Sequence, residues 1–342
     1  MRMGILTGGG DAPGLNAVIR AVVKRATDLG HEVVGIKRGW SGLLDNVDTM
    51  PLSYDCVENI IDKAGTILLT SRTNPLKSPG GMEKVLDNIR KLNLDCLITV
   101  GGDDTLSVAK KLAEMGGKVI GVPKTIDNDV PGTDLTFGFL TSAEEAMDAL
   151  DNLAATGASH ERIMVAEIMG RHAGWIAAYA GIATGADLIL VPEKPFKISD
   201  VIDFVKEKKV HGKASLLIVV AEGALIEDYK GPMTKDVKTD QFGHVLLGGI
   251  GDFLAKEIEK ATGYETRAVV PAHIIRGKSP IAFDRVLATR FGLMAAELAH
   301  EGKFGRMVAL SGTNKVDVDL IRGLIGTRTL DEQLIRLMEQ TF

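Results

Sequence analysis

The chain is poor in the features that mark secreted and membrane proteins. Its 342 residues include two cysteines, Cys56 and Cys96, and Cys96 lies in an apolar segment typical of a buried strand. No apolar run approaches the roughly 18 residues of a membrane helix, and glycines follow the first strand too early for a signal peptide. We therefore expect a cytoplasmic protein with free thiols and no membrane segment.

An excess of basic charge is also lacking. Lysine and arginine number 40 against 45 acidic residues, and the formal net charge is −5. Aromatic residues make up 5% of the chain, which leaves few platforms for stacking bases. We therefore expect no nucleic-acid partner, and any anion site must be built locally from particular arginines and backbone amides.

What the chain does contain is an alternation of short apolar runs and amphipathic stretches. Residues 3–7, 33–36 and 96–100 are strand-like, whereas 15–29 and 82–92 have helical spacing. This alternation is typical of a parallel sheet with crossover helices. At 45% hydrophobic content the chain is long enough for two α/β domains with mostly parallel sheets.

A second unit is predicted to begin near Gly138. Thr141 resembles the cap of a helix, and strand-like runs follow at 163–168 and 216–221. The polar stretch 226–241 is the best candidate for an exposed insertion. No flexible linker is apparent, so we expect rigidly coupled domains.

Two polar clusters follow predicted strands in the first unit. Residues 7–14 form a glycine-rich turn before a helix, where backbone amides can approach an anion, although such a turn alone is a weak signal. Residues 100–106 place Asp103 and Asp104 at the carboxyl edge of the sheet, where ligands usually bind. One carboxylate could serve Mg²⁺, or the pair could be an exposed helix cap.

Further polar residues follow other predicted strands. Residues 122–129 gather a lysine, a hydroxyl and acids, more than a plain turn requires. Arginines recur near strand ends from the second unit onward, and the planar guanidinium suits phosphate, although a single arginine is more often a surface residue. These arginines are Arg162, Arg171, Arg267 and Arg276.

Together these blocks resemble the phosphofructokinase family in order and spacing, from residue 3 to about 300. The resemblance rests on residues 9–16, 101–105, 123–129, 169–171 and 273–277. It implies the phosphofructokinase fold, α/β with two three-layer α/β/α domains and an active site in the cleft between them. The implied domains are 1–138 with about 272–325 for the donor, 139–271 for fructose 6-phosphate, and a surface segment 326–342.

The resemblance implies transfer of a phosphoryl group to the 1-hydroxyl of fructose 6-phosphate. Asp127 would accept the hydroxyl proton beside Thr125, and Asp103 would serve Mg²⁺ with Asp129 nearby. The donor and the transferring group would be held by Gly10, Arg72, Asp104, Thr105 and Lys124. The sugar phosphate would be held by Met169, Gly170, Arg171, Glu222, His273 and Arg276, with Arg162 and Arg267 supplied by the neighbour in a homodimer or homotetramer.

Two residues favour pyrophosphate as the phosphoryl donor. ATP-using members of the family typically carry glycine at the position of Asp104 and a small residue at that of Lys124. Two like charges about 4 Å apart at an effective dielectric near 20 repel by roughly 4 kcal/mol, so a carboxylate at Asp104 would disfavour the α-phosphate of ATP. Pyrophosphate has no third phosphate to be repelled.

The sequence alone leaves other interpretations open. An ATP-dependent 6-phosphofructokinase shares every sugar-phosphate residue, and a sugar-phosphate-binding protein without catalysis would keep the arginines. Lipid and NAD kinases share the glycine-glycine-aspartate turn but not the blocks at 169–171 and 273–276. Ala154 replaces an arginine of regulated relatives, so we expect weak control by ADP or phosphoenolpyruvate, although Arg20 and Lys213 remain. Lys278 replaces a usual glycine.

Overall fold

The computed structural model describes residues 1–227, 229, 233–239 and 245–340. Leaving aside 240–243, which lie outside this range, the chain forms two compact units. Unit 1 comprises Met1–Thr141 and Arg276–Thr327. Unit 2 comprises Ser142–Thr239, His244–Ile275 and Arg328–Phe342.

Strands and helices alternate along most of the described chain. The strands are β1 Arg2–Thr7, β2 Glu32–Ile36, β3 Thr49–Leu52, β4 Cys96–Gly101, β5 Val119–Pro123, β6 Ile163–Ile168, β7 Leu188–Leu190, β8 Leu216–Ala221, β9 Thr234–Thr239, β10 Val245–Leu247, β11 Thr266–Val269, β12 Arg306–Ser311 and β13 Asn314–Asp319. The α-helices are α1 Leu15–Asp28, α2 Tyr54–Val57, α3 Gly81–Lys91, α4 Asp103–Glu114, α5 Phe139–Ser159, α6 Trp175–Thr184, α7 Ile198–Val210, α8 Ile250–Thr262, α9 Ala282–His300, α10 Leu320–Gly323 and α11 Glu332–Gln340. Short 3₁₀ turns span Gly39–Leu43, Pro75–Lys77 and Ala272–Arg276.

Unit 1 is built on a seven-stranded sheet in the order β13-β12-β5-β4-β1-β2-β3. The five inner strands are parallel, and β3 and β13 pair antiparallel at the two edges. Successive side chains of β1 enter different apolar clusters: Ile5 belongs to the cluster that contains Phe291 of α9, whereas Leu6 belongs to the one that contains Trp40 and Leu106. The inner strands are mostly apolar because both faces of the sheet are covered.

Unit 2 contains a smaller parallel sheet in the order β11-β6-β8-β7. Val165, Ile218 and Leu254 belong to the apolar cluster that joins this sheet to α7 and α8. Strands β9 and β10 form a separate antiparallel pair. Within the described residues, no helix combines the length and the apolar character that crossing a bilayer demands.

The start of helix α5 differs from the sequence interpretation. Helix α5 begins at Phe139, so the predicted cap at Thr141 is wrong. The Thr141 amide and hydroxyl instead donate to Asp284 Oδ2 of α9, at 2.8 and 2.6 Å, because this fully buried carboxylate requires donors. The predicted insertion begins with the buried Ile226 and continues into β9, and its residues 228, 230–232 and 240–241 lie outside the described residues.

Candidate active site

Three predicted site loops meet at one edge of the unit 1 sheet. They follow β1, β4 and β5, which are neighbours in the sheet, so their carboxyl ends lie side by side. The Gly8 amide donates to the Val100 carbonyl at 2.9 Å, and the Lys124 amide donates to the Gly101 carbonyl at 2.9 Å. The structure therefore brings together the donor-side residues that the sequence places in separate motifs.

Glycines at these turns are required by the close approach of Thr105. A methyl group added at Gly8 would lie 2.6 Å from Thr105 Oγ1, and one at Gly101 would lie 2.3 Å from Thr105 Cβ. Thr105 is buried, and its Oγ1 has no hydrogen-bond partner in the described chain. Trp40 Nε1 donates to the Thr105 carbonyl at 3.3 Å and fixes the residue. A buried hydroxyl thus lies directly under the glycine turn.

Lys124 reaches the same turn from the end of β5. Its side chain is 3% exposed, and its Nζ donates to the carbonyl of Gly10. A methyl group at Gly9 would lie 3.8 Å from Nζ, so the ammonium also borders the preceding glycine. The structure thus places a buried positive charge against the glycine turn.

Arg276 covers the other side of Gly10. The side chain is 11% exposed, and a methyl group added at Gly10 would lie 1.7 Å from its Nη2. The guanidinium donates to the Asp11 carbonyl, at 2.7 Å from Nη2, and its Nε lies 3.4 Å from Asp11 Oδ1. Sequence reasoning did not select Asp11 as a site residue. Its position directly after three glycines was the available signal.

The loop that carries Asp127 is locked by its own hydrogen bonds. The Asp127 amide donates to Thr125 Oγ1 at 3.0 Å, and Thr136 Oγ1 donates to the Thr125 carbonyl at 2.9 Å. Asn128 adopts a left-handed conformation with φ 53°, and its Oδ1 accepts from the Thr136 amide at 3.1 Å. These hydrogen bonds fix the conformation of the loop. Both of its carboxylates, Asp127 and Asp129, are half-buried.

Asp103 and Asp104 occupy the first turn of α4, where the helix dipole favours negative charge. Asp103 is exposed and Asp104 is half-buried. No group of three or more His, Cys, Asp or Glu side chains in the described chain is arranged to hold a metal ion. Mg²⁺ often binds through one or two carboxylates together with substrate phosphates, so an exposed Asp103 fits a metal that arrives with the donor.

Arg72 lies close to the same edge of the unit 1 sheet, because the residue before it is hydrogen-bonded to the glycine turn. The Gly9 amide donates to the Ser71 carbonyl at 3.0 Å, and Thr70 Oγ1 donates to the Gly9 carbonyl at 2.6 Å. Arg72 itself is half-buried. The segment 70–72 is thus attached to the glycine turn by two hydrogen bonds.

In unit 2, Glu222 shapes the backbone of the segment that follows β6. Its Oε1 accepts from the Gly170 amide at 3.3 Å and from the Arg171 amide at 3.0 Å. Arg171 is left-handed with φ 52°, and a methyl group at Gly223 would lie 1.8 Å from its carbonyl oxygen. Met169, Gly170, Arg171 and Glu222 therefore form one group.

Arg162 and Arg267 are not part of the group that Met169, Gly170, Arg171 and Glu222 form in the same chain. Arg162 precedes β6 and Met169 follows it, so about 20 Å of strand separates them. Both arginines contact Glu265 instead, and the hydrogen bond from Arg162 lowers the pKa of that carboxyl, with desolvation acting in the opposite direction. His273 is exposed in the turn Ala272–Arg276.

The fold and these loops define an α/β protein with polar and basic side chains gathered at the carboxyl ends of its parallel strands. The chain belongs to the phosphofructokinase family, which it matches over residues 2–299. It is 52% identical to a pyrophosphate–fructose 6-phosphate 1-phosphotransferase of Amycolatopsis methanolica, over 96% of either chain. It is 45% identical to ATP-dependent 6-phosphofructokinase 3 of Streptomyces coelicolor, over 97% of either chain.

Solved structures agree with this assignment. The chain matches a phosphofructokinase from Saccharomyces cerevisiae with a TM-score of 0.80 and 26% identity, covering 99% of this chain and 47% of the longer yeast chain. A pyrophosphate-dependent phosphofructokinase from Marinobacter aquaeolei matches with a TM-score of 0.83, 22% identity and coverage of 100% and 91%, a likeness of fold alone. The expected family and its α/β fold class with mostly parallel sheets are confirmed.

Proposed function

We propose that this chain transfers a phosphoryl group from pyrophosphate to the 1-hydroxyl of fructose 6-phosphate. The products are fructose 1,6-bisphosphate and phosphate, and the reaction is reversible. The observation that carries the proposal is the buried Lys124 ammonium on the Gly10 carbonyl, in a loop adjoining the α4 turn that carries Asp104. Relatives that are 52% and 49% identical bear the name of this activity.

Charge is the physical basis of donor choice. The Asp104 carboxylate repels a third phosphate, whereas Lys124 contributes positive charge for a short donor that lacks a nucleoside. Its burial strengthens this attraction, because the charge is poorly screened by water. An ATP-dependent enzyme is the second candidate, supported by relatives 45% and 46% identical that carry that name.

The chemistry requires positioning and charge neutralisation more than covalent work. Asp127 accepts the proton of the 1-hydroxyl. As it does so, the hydroxyl oxygen bonds to a phosphorus of pyrophosphate, and the P–O bond that bridges the two phosphates breaks. Lys124, Arg72 and Arg171 stabilise the negative charge of the group in transit. Asp103 would hold Mg²⁺, which when bound neutralises charge on the donor phosphates.

Each unit supplies residues that bind the substrates. Unit 1 binds the donor through Gly10, Asp104, Thr105 and Lys124, and also supplies Thr125, Asp127 and Arg276 to the acceptor. Unit 2 binds fructose 6-phosphate through Met169, Gly170, Arg171, Glu222 and His273. Arg162 and Arg267 complete the neighbour's site in a homodimer or homotetramer, which is supported by their position at the opposite end of β6 from Met169.

A steady-state assay with both donors tests the proposal. Fructose 6-phosphate and Mg²⁺ are held at saturation while pyrophosphate and ATP are varied separately. We expect rapid turnover with pyrophosphate and little with ATP. Robust ATP turnover with negligible pyrophosphate activity would overturn the donor assignment in favour of the second candidate, and no turnover with either donor would overturn the enzyme assignment.

A further inference from the structure

Three charged side chains form a cluster at the start of two paired strands in unit 2. Arg162 directly precedes β6, Glu265 directly precedes β11, and Arg267 is the second residue of β11. The Ile163 amide donates to the Glu265 carbonyl at 3.0 Å, which places Glu265 beside Arg162. Glu265 and Arg267 are two residues apart, so their side chains lie on the same face of the strand.

Glu265 is the centre of this cluster. Its Oε1 lies 2.8 Å from Arg162 Nη2 and 2.6 Å from Arg267 Nη2, so one carboxylate oxygen contacts both guanidinium groups. Glu259 is a more distant neighbour, with its Oε1 3.9 Å from Arg267 Nη1. All three charged side chains of the cluster remain partly accessible to solvent.

We infer that Glu265 is a positioning residue that holds Arg162 and Arg267 together as a pair ready to bind the phosphate of the sugar. The inference rests on the proposed function, which assigns both arginines to fructose 6-phosphate but gives Glu265 no role. Glu265 does not touch the reacting atoms and acts only through the two arginines.

The physical reason is the cost of assembling two like charges. Without the carboxylate, the two guanidinium groups repel each other and each long side chain samples many rotamers. The ligand would then have to order both on binding, which weakens affinity. Each guanidinium has five N–H donors, so a contact through one nitrogen leaves donors for phosphate.

A purely structural role does not fit the exposure of the cluster. The side chains of Glu265 and Arg267 are 41% and 53% exposed, and ion pairs in such positions contribute little to folding stability. The pKa of Glu265 is lowered by its arginine partners, so the carboxylate is charged at neutral pH. Its removal should therefore affect ligand binding far more than folding.

The test compares Glu265→Ala, Glu265→Gln and a matched control, Glu259→Gln, in the full-length protein. We expect Glu265→Ala to raise the KM for fructose 6-phosphate by about tenfold, with the KM for pyrophosphate, the Tm and the oligomeric size unchanged. Inhibition by inorganic phosphate, measured as competition against the sugar phosphate, should weaken in parallel. Glu265→Gln keeps an acceptor of the same shape and should recover part of the loss, and Glu259→Gln should change the KM less than about twofold.

The outcomes separate this inference from the proposed function. If Glu265→Ala leaves the KM for fructose 6-phosphate unchanged, or lowers it because the carboxylate merely competes with phosphate, the inference is overturned while the activity stands. A rise in both KM values together with a lower Tm would also overturn it, because that pattern indicates a structural role. If the unmodified protein does not turn over pyrophosphate and fructose 6-phosphate, the proposed function fails first. Calorimetric titration of the same variants with fructose 6-phosphate alone then decides whether Glu265 supports phosphate binding.

Discussion

At the scale of single residues, the proposed donor site contains side chains of opposite charge. Lys124 is buried on the glycine turn, while Asp104 is half-buried in the first turn of α4. In the proposed function the two side chains act on different parts of a donor, because the ammonium attracts the transferring phosphate and the carboxylate repels an additional one. Changing one of them should therefore not convert the enzyme from one donor to the other.

The variant Asp104→Gly tests this separation. We expect the KM for ATP to fall by roughly tenfold or more, because a repulsive charge is removed. The kcat with ATP should stay low, since Lys124 still occupies the glycine turn. Asp104→Asn is the matched control, because it removes the charge but keeps the side chain. Full ATP activity in Asp104→Gly would contradict the account.

In the proposed function, Asp127 is the base that accepts the proton of the 1-hydroxyl. Its loop is fixed by Thr125 and Thr136, so Asp127→Asn should keep the geometry while losing the basic oxygen. We expect kcat to fall by about 10²–10⁴-fold with KM values changed less than about threefold. Asp45→Asn, in an exposed pair with Lys84, should have no effect. A kcat within tenfold of the unmodified protein would exclude Asp127 as the base.

At the scale of elements, the C-terminal segment of unit 2 is attached to the start of α6. The carboxylate of Glu193 accepts from the Gly174 amide at 3.0 Å and from the Leu330 amide at 3.1 Å. Trp175 Nε1 donates to the Arg328 carbonyl at 3.2 Å, and the Arg328 guanidinium lies 4.1 Å from the centre of the Trp175 ring. One acidic residue thus links the start of α6 to the segment before α11.

Glu193→Ala should loosen this link. Two backbone amides lose a charged acceptor, so we expect a loss of about 2 kcal/mol in the free energy of unfolding. Trp175 should become more accessible, which fluorescence quenching by iodide would detect, whereas the buried Trp40 should remain protected. Glu332→Ala, which removes an exposed pair with Arg336, is the control. Unchanged stability and quenching would show that the segment is held by other contacts.

The inner strands of the two parallel sheets were the elements most predictable from sequence. The expected strands at 3–7, 33–36, 96–100, 163–168 and 216–221 match observed strands to within a residue at either end, because strands covered on both faces are mostly apolar. The start of α5 was not predictable, since Thr141 serves a distant aspartate rather than its own helix. Contacts such as that of Lys124 with Gly10 join residues far apart in sequence, and no local sequence pattern predicts them.

At the scale of the whole molecule, the proposed site needs a second copy of the chain. The variants Arg162→Ala and Asp127→Asn should each be nearly inactive alone, because one lacks a sugar-phosphate ligand and the other lacks the base. Co-expressed in equal amounts, they should recover up to about a quarter of the activity for random dimers, because one site in each mixed dimer is intact. Recovery no greater than the sum of the separate variants would contradict sharing of Arg162 between subunits.

The central claim is the direct passage of a phosphoryl group between pyrophosphate and fructose 6-phosphate. The most direct measurement is ³¹P NMR of the protein with Mg²⁺, fructose 6-phosphate and pyrophosphate, without any nucleotide. We predict that the pyrophosphate signal declines as signals of orthophosphate and a 1-phosphate ester grow in equal amounts, and that fructose 1,6-bisphosphate with phosphate regenerates pyrophosphate. An unchanged pyrophosphate signal, or hydrolysis to orthophosphate without formation of the 1-phosphate ester, would contradict the account.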